Sequence, residues 1–147
     1  MSQFRQQVQD TLLSMKNDKG ELIHAKLKVI PLKFKGYKFW VPAKNFKIED
    51  HVKDYGHVHF ERLEAFQEYC SQWVLEPYEK NKPLWDVRSF SYGKNKEESI
   101  LAWKMHHSIS DGLTFQKMFD SLIGRERPVF ETKQTSMRGS FYKMVNN

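Results

Sequence analysis

Residues 82–112, KPLWDVRSFSYGKNKEESILAWKMHHSISDG, decide how this chain folds. Pro83 suits the start of a strand, where its missing N–H costs no ladder bond, and Leu84, Val87 and Phe90 behind it favour a strand. GKNKEE is short and polar and opens on glycine, as a hairpin connection does. SILAWKMHH then reads as a mainly apolar strand buried in a sheet. Segments 84–90 and 99–105 are therefore expected side by side in a mixed or antiparallel sheet.

Helices flank that pair. Phe4, Val8, Leu12 and Met15 recur every three or four positions, which predicts a helix over 2–15 that NDKGE ends. Leu63, Phe66, Cys70, Trp73 and Val74 share one face of a second helix over 62–76, closed by Pro77. Phe115, Met118, Phe119, Leu122 and Ile123 do the same for a third over 113–123. Lysines alternate with apolar residues in HAKLKVI and in LKFKGYKFWV, so both read as half-buried strands with one wet face. Pro31 makes a break or an edge between them. FKIEDHVKDYGHVHFERLEAF lacks a clear period and is expected as a loop leading into the second helix. The last residues, GRERPVFETKQTSMRGSFYKMVNN, are polar and basic and also lack a period. The expected fold class is α/β, a two-layer sandwich over 1–126, with 127–147 as a polar linker or truncated continuation.

The bulk numbers fit one domain. The chain has 147 residues, of which 39% are hydrophobic and 14% aromatic, enough to build a core. A formal charge of +6 favours anionic partners without choosing among them. Eight lysines between Lys26 and Lys53 face only Glu49 and Asp50, and on alternating strands they read as solvated faces. Nucleic acid is not expected as a partner, since aromatic residues interleave with lysines only in KFKGYKFW. Cys70 is the single cysteine, which excludes an internal disulfide or a Cys-rich zinc module and fits a reducing compartment. No apolar run reaches bilayer length, and MSQFRQQVQD carries no apolar signal core.

His106 and His107 raise the question of chemistry. Successive strand side chains point to opposite faces, so the pair does not converge on a zinc ion without a bulge. His57 and His59 would share a strand face but have no third ligand nearby, and no metal is expected. Asp111 and Gly112 ahead of an apolar-periodic run read as a helix start, with Asp111 as the cap and Gly112 relieving the backbone. A histidine at the C-terminal end of a strand, facing a crevice, also suits a general base. Spacing alone leaves the cap-and-turn reading and the catalytic reading both open.

HHSISDG fits the HHxxxDG pattern of the chloramphenicol acetyltransferase-like acyltransferases. Within that superfamily the chain resembles the wax ester synthase/diacylglycerol acyltransferase family, particularly its eukaryotic members. The resemblance rests on KPLWDVRSF at 82–90 followed by WKMHHSISDGLT at 103–114, with FWVPAKNFKIEDHV upstream as a looser match. It implies transfer of an acyl group from acyl-CoA to a long-chain alcohol or diacylglycerol, giving wax esters or triacylglycerol. Acyl-CoA would be a co-substrate, and neither metal nor redox cofactor would be needed. His107 would be the general base. Asp111 would hold the motif loop, Gly112 would let it pack closely, and His106 would point away and support it.

Members of that family run to several hundred residues in two lobes with a tunnel between them, and the resemblance covers the N-terminal lobe only. Without the second wall no turnover is expected from this chain alone. Apolar surface around the motif should then be exposed, with Trp103 or Met105 less buried than in a core strand. The expected partners are acyl-CoA, the lipid acceptor and a complementing lobe or a second copy. The expected location is the cytoplasm, peripheral at the endoplasmic reticulum, another membrane or a lipid droplet. The alternative reading is a non-catalytic relative that serves as an interaction module or is a fragment of a longer gene product.

Overall fold

The computed structural model describes residues 1–125. Its centre is a strand over Trp85–Tyr92, here β4, which pairs antiparallel with β5, Glu98–Met105, from Trp85↔Met105 to Tyr92↔Glu98. The hairpin expected from sequence is thus present, and its turn uses positive φ at Gly93 and Lys96. On its other edge β4 pairs parallel with β3, Val52–Phe60. A parallel neighbour needs a crossover, supplied by α2, Leu63–Trp73. The remaining elements are α1, Ser2–Val8, the separate hairpin of β1, Val29–Phe34, with β2, Tyr37–Pro42, and α3, Gly112–Leu122.

Alternation along β4 divides the core. Trp85 and Val87 project to one face and pack with Val52, Leu27, Val8, Leu12, Leu13, Ile109, Met118 and Leu122. Phe90, of opposite parity, joins Ala102 and the α2 residues Phe66 and Trp73 on the other. The fold is therefore mixed α/β, but helices cover both faces of the three-stranded sheet, not one face as a two-layer sandwich would have it.

Other expectations are corrected as well. Residues 52–60 form a strand, not a loop. The Asp54 carboxylate accepts a hydrogen bond from the Gly56 N–H (2.9 Å), and the pairing register shifts between Tyr55 and His59, which breaks the two-residue period on which a strand is recognised. LKFKGYKFWV is not one strand but both arms of a hairpin, turning at Lys35 and Gly36, whose φ values are 47° and 84°. Two successive positive φ angles are what a two-residue hairpin turn demands. In HAKLKVI, residues Ala25–Lys28 form a 3-10 turn before β1 begins. Pro31 lies within β1, tolerated because each strand of a two-stranded sheet has an open edge. The helix expected over 2–15 is α-helical only to Val8 and continues as a π-helix over Gln9–Leu13, where Leu12 and Leu13 are both buried. The expected linker at 127–147 lies outside the described residues.

Trp85 ties the layers together. Its indole N–H donates to the Leu27 carbonyl (2.8 Å), and its ring stacks on His51 at 4.6 Å between centroids. His51 Nδ1 lies 2.8 Å from the Trp85 carbonyl, an acceptor only, so Nδ1 carries the proton. The Val87 N–H returns a bond to the His51 carbonyl (2.7 Å). Burial pushes the His51 pKa down, opposed by that carbonyl bond and by Asp86, and burial pushes His24 down too.

Trp85→Ala should cost about 3–5 kcal/mol of stability in denaturant unfolding. Trp85→Phe should cost about 1–3 kcal/mol, mainly for the stranded Leu27 carbonyl; a Phe variant as stable as the parent would show that the indole bond contributes nothing. Folded His24 and His51 titrate below 6.5, so between those values and 6.5 the unfolded chain binds more protons. Their contribution is full above pH 6.5 and is lost as pH falls through the folded values. His51→Gln should flatten the acid-side slope of melting temperature against pH.

Candidate functional site

Strand β5 ends at Met105, and the backbone N–H of His106 still bonds the Leu84 carbonyl (2.9 Å). The chain then turns, with the Ile109 N–H donating back to the His106 carbonyl (2.9 Å). Ile109 is buried in the first core and anchors the turn from inside. Outside, the Lys26 ammonium donates to the Ser108 carbonyl (3.3 Å). His106 Nδ1 faces the Ser108 hydroxyl at 2.7 Å and accepts from the Ser108 N–H at 3.1 Å.

The far end of the turn is a helix cap. Asp111 Oδ1 accepts from the Thr114 N–H (2.7 Å) and its carbonyl from the Phe115 N–H (2.9 Å), so Asp111 is the N-cap of α3. These bonds to Thr114 hold its carboxyl below the usual range. Gly112 has a different role from the expected one. Its φ is not positive, and a Cβ built there would meet nothing within 4 Å, so neither backbone relief nor close packing requires glycine. The missing side chain leaves space beside the loop.

His107 sits between these two fixed ends. It is exposed, has no hydrogen-bond partner among the described residues, and lines three cavities. One of about 470 Å³ is walled by the 23–27 segment, Ile109 and Met118. A second of about 240 Å³ lies against Trp103, Met105 and Phe115. The third, about 550 Å³, runs over Phe66, Cys70, Trp73, Val74 and Ala102. His106 lines this third cavity too, because the strand has ended and alternation no longer separates the two rings. The expectation that His106 points away is corrected to that extent. Trp103 and Met105 are half-buried, and Leu113 beside the motif is 70% exposed.

Behind the histidines lies a polar wall that sequence reasoning did not single out. The Lys104 ammonium is buried and donates to the carbonyls of Trp73 (2.9 Å) and Glu76, at the C-terminal end of α2, while sitting over the Tyr78 ring. A cation is favourable at that end of a helix. Tyr78 meets His106 edge to face at 6.3 Å, and burial with the charge of Asp86 pushes its phenol up to about 12, so it stays protonated. Lys104 shares strand parity with Ala102, which puts it on the α2 face, and in the sheet register it stands opposite Asp86. Burial pushes the Cys70 thiol up, which disfavours its thiolate. The Trp103 indole N–H is buried and has no hydrogen-bond partner among the described residues. No group of three His, Cys, Asp or Glu able to hold a metal occurs among the described residues, and none of their helices is long and apolar enough to cross a membrane.

Residues 2–140 match the family described as wax ester synthase/diacylglycerol acyltransferase catalytic domain. The chain is 32% identical over 92 residues to wax ester synthase/diacylglycerol acyltransferase 1 of Arabidopsis thaliana, covering 60% of this chain and 19% of that protein. It is 30% identical over 88 residues to protein 3 of the same name and organism, covering 58% and 18%. With protein 10 it shares 28% identity over 83 residues, covering 54% and 17%. The chain thus spans under a fifth of the length of these curated relatives. No solved structure matches it.

Replacing Lys104 by Met should strand two carbonyls and cost about 1–3 kcal/mol in denaturant unfolding, with Lys104→Arg recovering part of it. Asp111→Ala should lower the melting temperature and Asp111→Asn should not, since asparagine also caps. Equal melting of the alanine and parent proteins would remove Asp111 from the loop's support.

Proposed function

The chain belongs to the wax ester synthase/diacylglycerol acyltransferase catalytic-domain family, and from that premise we propose that it forms one wall of an O-acyltransferase site. In this reading an acyl group passes from acyl-CoA to a long-chain alcohol or diacylglycerol, giving a wax ester or triacylglycerol. The observation that carries it is His107, exposed and without a hydrogen-bond partner among the described residues, lining three cavities that include apolar side chains, on a loop fixed at both ends.

The chemistry asks little more of the chain. The His107 imidazole takes the hydroxyl proton as the alcohol oxygen attacks the thioester carbonyl. The tetrahedral intermediate collapses by breaking the carbon–sulfur bond, and the departing CoA thiolate recovers the proton from the imidazolium. A thioester is already activated, so positioning, a base and stabilisation of the oxyanion suffice, with no redox step. Apolar side chains along the cavities suit acyl and alkyl chains.

A second reading has its own support. Val74, Leu75, Leu113, Phe119 and Ile123 are exposed, and the chain covers under a fifth of its relatives' length. In this reading the exposed apolar residues meet a complementing surface, and the chain serves as an interaction module.

Incubated with a long-chain acyl-CoA and a fatty alcohol or diacylglycerol, the chain should form ester only when the remaining length of a family member is supplied. In that complemented system His107→Ala should lower the rate by about 10²–10⁴-fold with unchanged melting temperature. Ester formation at the parental rate by the alanine variant would refute the base assignment.

A further inference from the structure

The β1–β2 hairpin stands out from the rest of the fold. Every residue from Pro31 to Trp40 is exposed, although the segment holds Leu32, Phe34, Tyr37, Phe39 and Trp40. A run of that hydrophobicity belongs in a core or against a partner.

The pairing register sorts its side chains. Ile30↔Val41, Leu32↔Phe39 and Phe34↔Tyr37 stand across from one another, so one face is a continuous stripe of aliphatic and aromatic side chains. Phe34 and Tyr37 at its tip are 58% and 72% exposed. Lys33↔Lys38 lie directly opposite each other on the other face, beside Pro31↔Trp40, and Lys35 occupies the turn. Like charges directly across a strand pair repel, and nothing in the hairpin offsets them. From Leu22 to Ile48 the sequence has seven lysines and no acidic residue.

We propose that this hairpin docks the chain on an anionic lipid surface. The apolar stripe would lie at the boundary between headgroups and acyl chains, with Lys33, Lys35 and Lys38 among the anionic headgroups. The same division of faces holds amphipathic segments in the plane of a membrane interface, where aromatic rings settle at headgroup level and lysine stems reach to the phosphates. Single-stranded nucleic acid is the other anionic candidate. A stacking groove needs several rings and cations along one track, whereas here the lysine face carries Trp40 as its one ring, and the stripe carries no lysine and includes Ile30, Leu32 and Val41, which offer bases no stacking face. The hairpin rises from the 23–28 segment that also walls one His107 cavity, so docking would set that cavity near the lipid surface. The inference rests on the hairpin alone and holds whether or not His107 is a base.

The test is sedimentation of the full chain with vesicles of phosphatidylcholine, alone or mixed with phosphatidylserine. Binding should appear on the mixed vesicles and weaken with salt. The triple variant Lys33→Gln, Lys35→Gln, Lys38→Gln should bind about a hundredfold more weakly, at roughly fivefold per lysine. Phe34→Ser with Phe39→Ser should abolish the part of binding that survives added salt. All five positions are exposed, so unchanged circular dichroism and melting will show the variants folded. The proposal is overturned if the chain ignores both vesicles, binds them equally, or binds unchanged in the triple variant. Displacement from the vesicles by a single-stranded oligonucleotide would overturn it in favour of nucleic acid, and a concentration-dependent dimer lost in the Phe34→Ser, Phe39→Ser variant would do so in favour of a second copy.

Discussion

The hydrogen bond from the Trp85 indole to the Leu27 carbonyl reaches across 58 positions of chain and fixes the first core. Leu27 belongs to the short turn that carries the β1–β2 hairpin and faces the His107 cavity. Trp85 opens β4, the strand on which both other strands of the sheet pair. A buried donor left without an acceptor is expensive, so this one bond binds the position of the 23–28 segment to the register of the sheet. His51 adds a second constraint from the start of β3, stacking on the indole while bonding the backbone of the same residue. The strand order, the helical packing on Trp85 and one wall of the site all refer back to this tryptophan.

The same economy governs the motif loop. Seven residues from His106 to Gly112 are held by the end of the sheet, by Ile109 in the core, by Lys26 from outside and by the Asp111 cap. In the proposed reading this support would serve a general base, whose geometry toward the transferred proton decides its efficiency. The burial of Ile109 and the exposure of His107, two positions apart, express one turn conformation with two consequences.

Much of this was legible in the chain. The 82–112 stretch announced two strands, their connection and the helix start, since period, turn residues and cap all agreed there. The three helices were legible for the same reason, although the first continues as a π-helix with Leu12 and Leu13 both buried, which periodicity does not encode. What stayed hidden was non-local. Val52–Phe60 is a strand because β4 lies beside it, and an Asx turn at Asp54 erased its alternation. Lys35-Gly36 carries the positive φ angles of a tight turn without the Asn-Gly or Asp-Gly signature that advertises one. In the site, Asp111 was readable as a cap from three residues of context. Lys104 and Tyr78 were not, because Lys104 is held by the carbonyls at the end of α2 and Tyr78 reaches His106 from the chain after that helix.

The different standing of the two histidines follows from hydrogen bonding and not from their order in the motif. A backbone N–H only donates, so the bond from Ser108 N–H requires a lone pair on His106 Nδ1, and the ring's proton lies on Nε2. The Ser108 hydroxyl shares that acceptor at 2.7 Å. These two contacts to Ser108 tie His106 to the loop on which His107 stands. His107 carries no such commitment among the described residues.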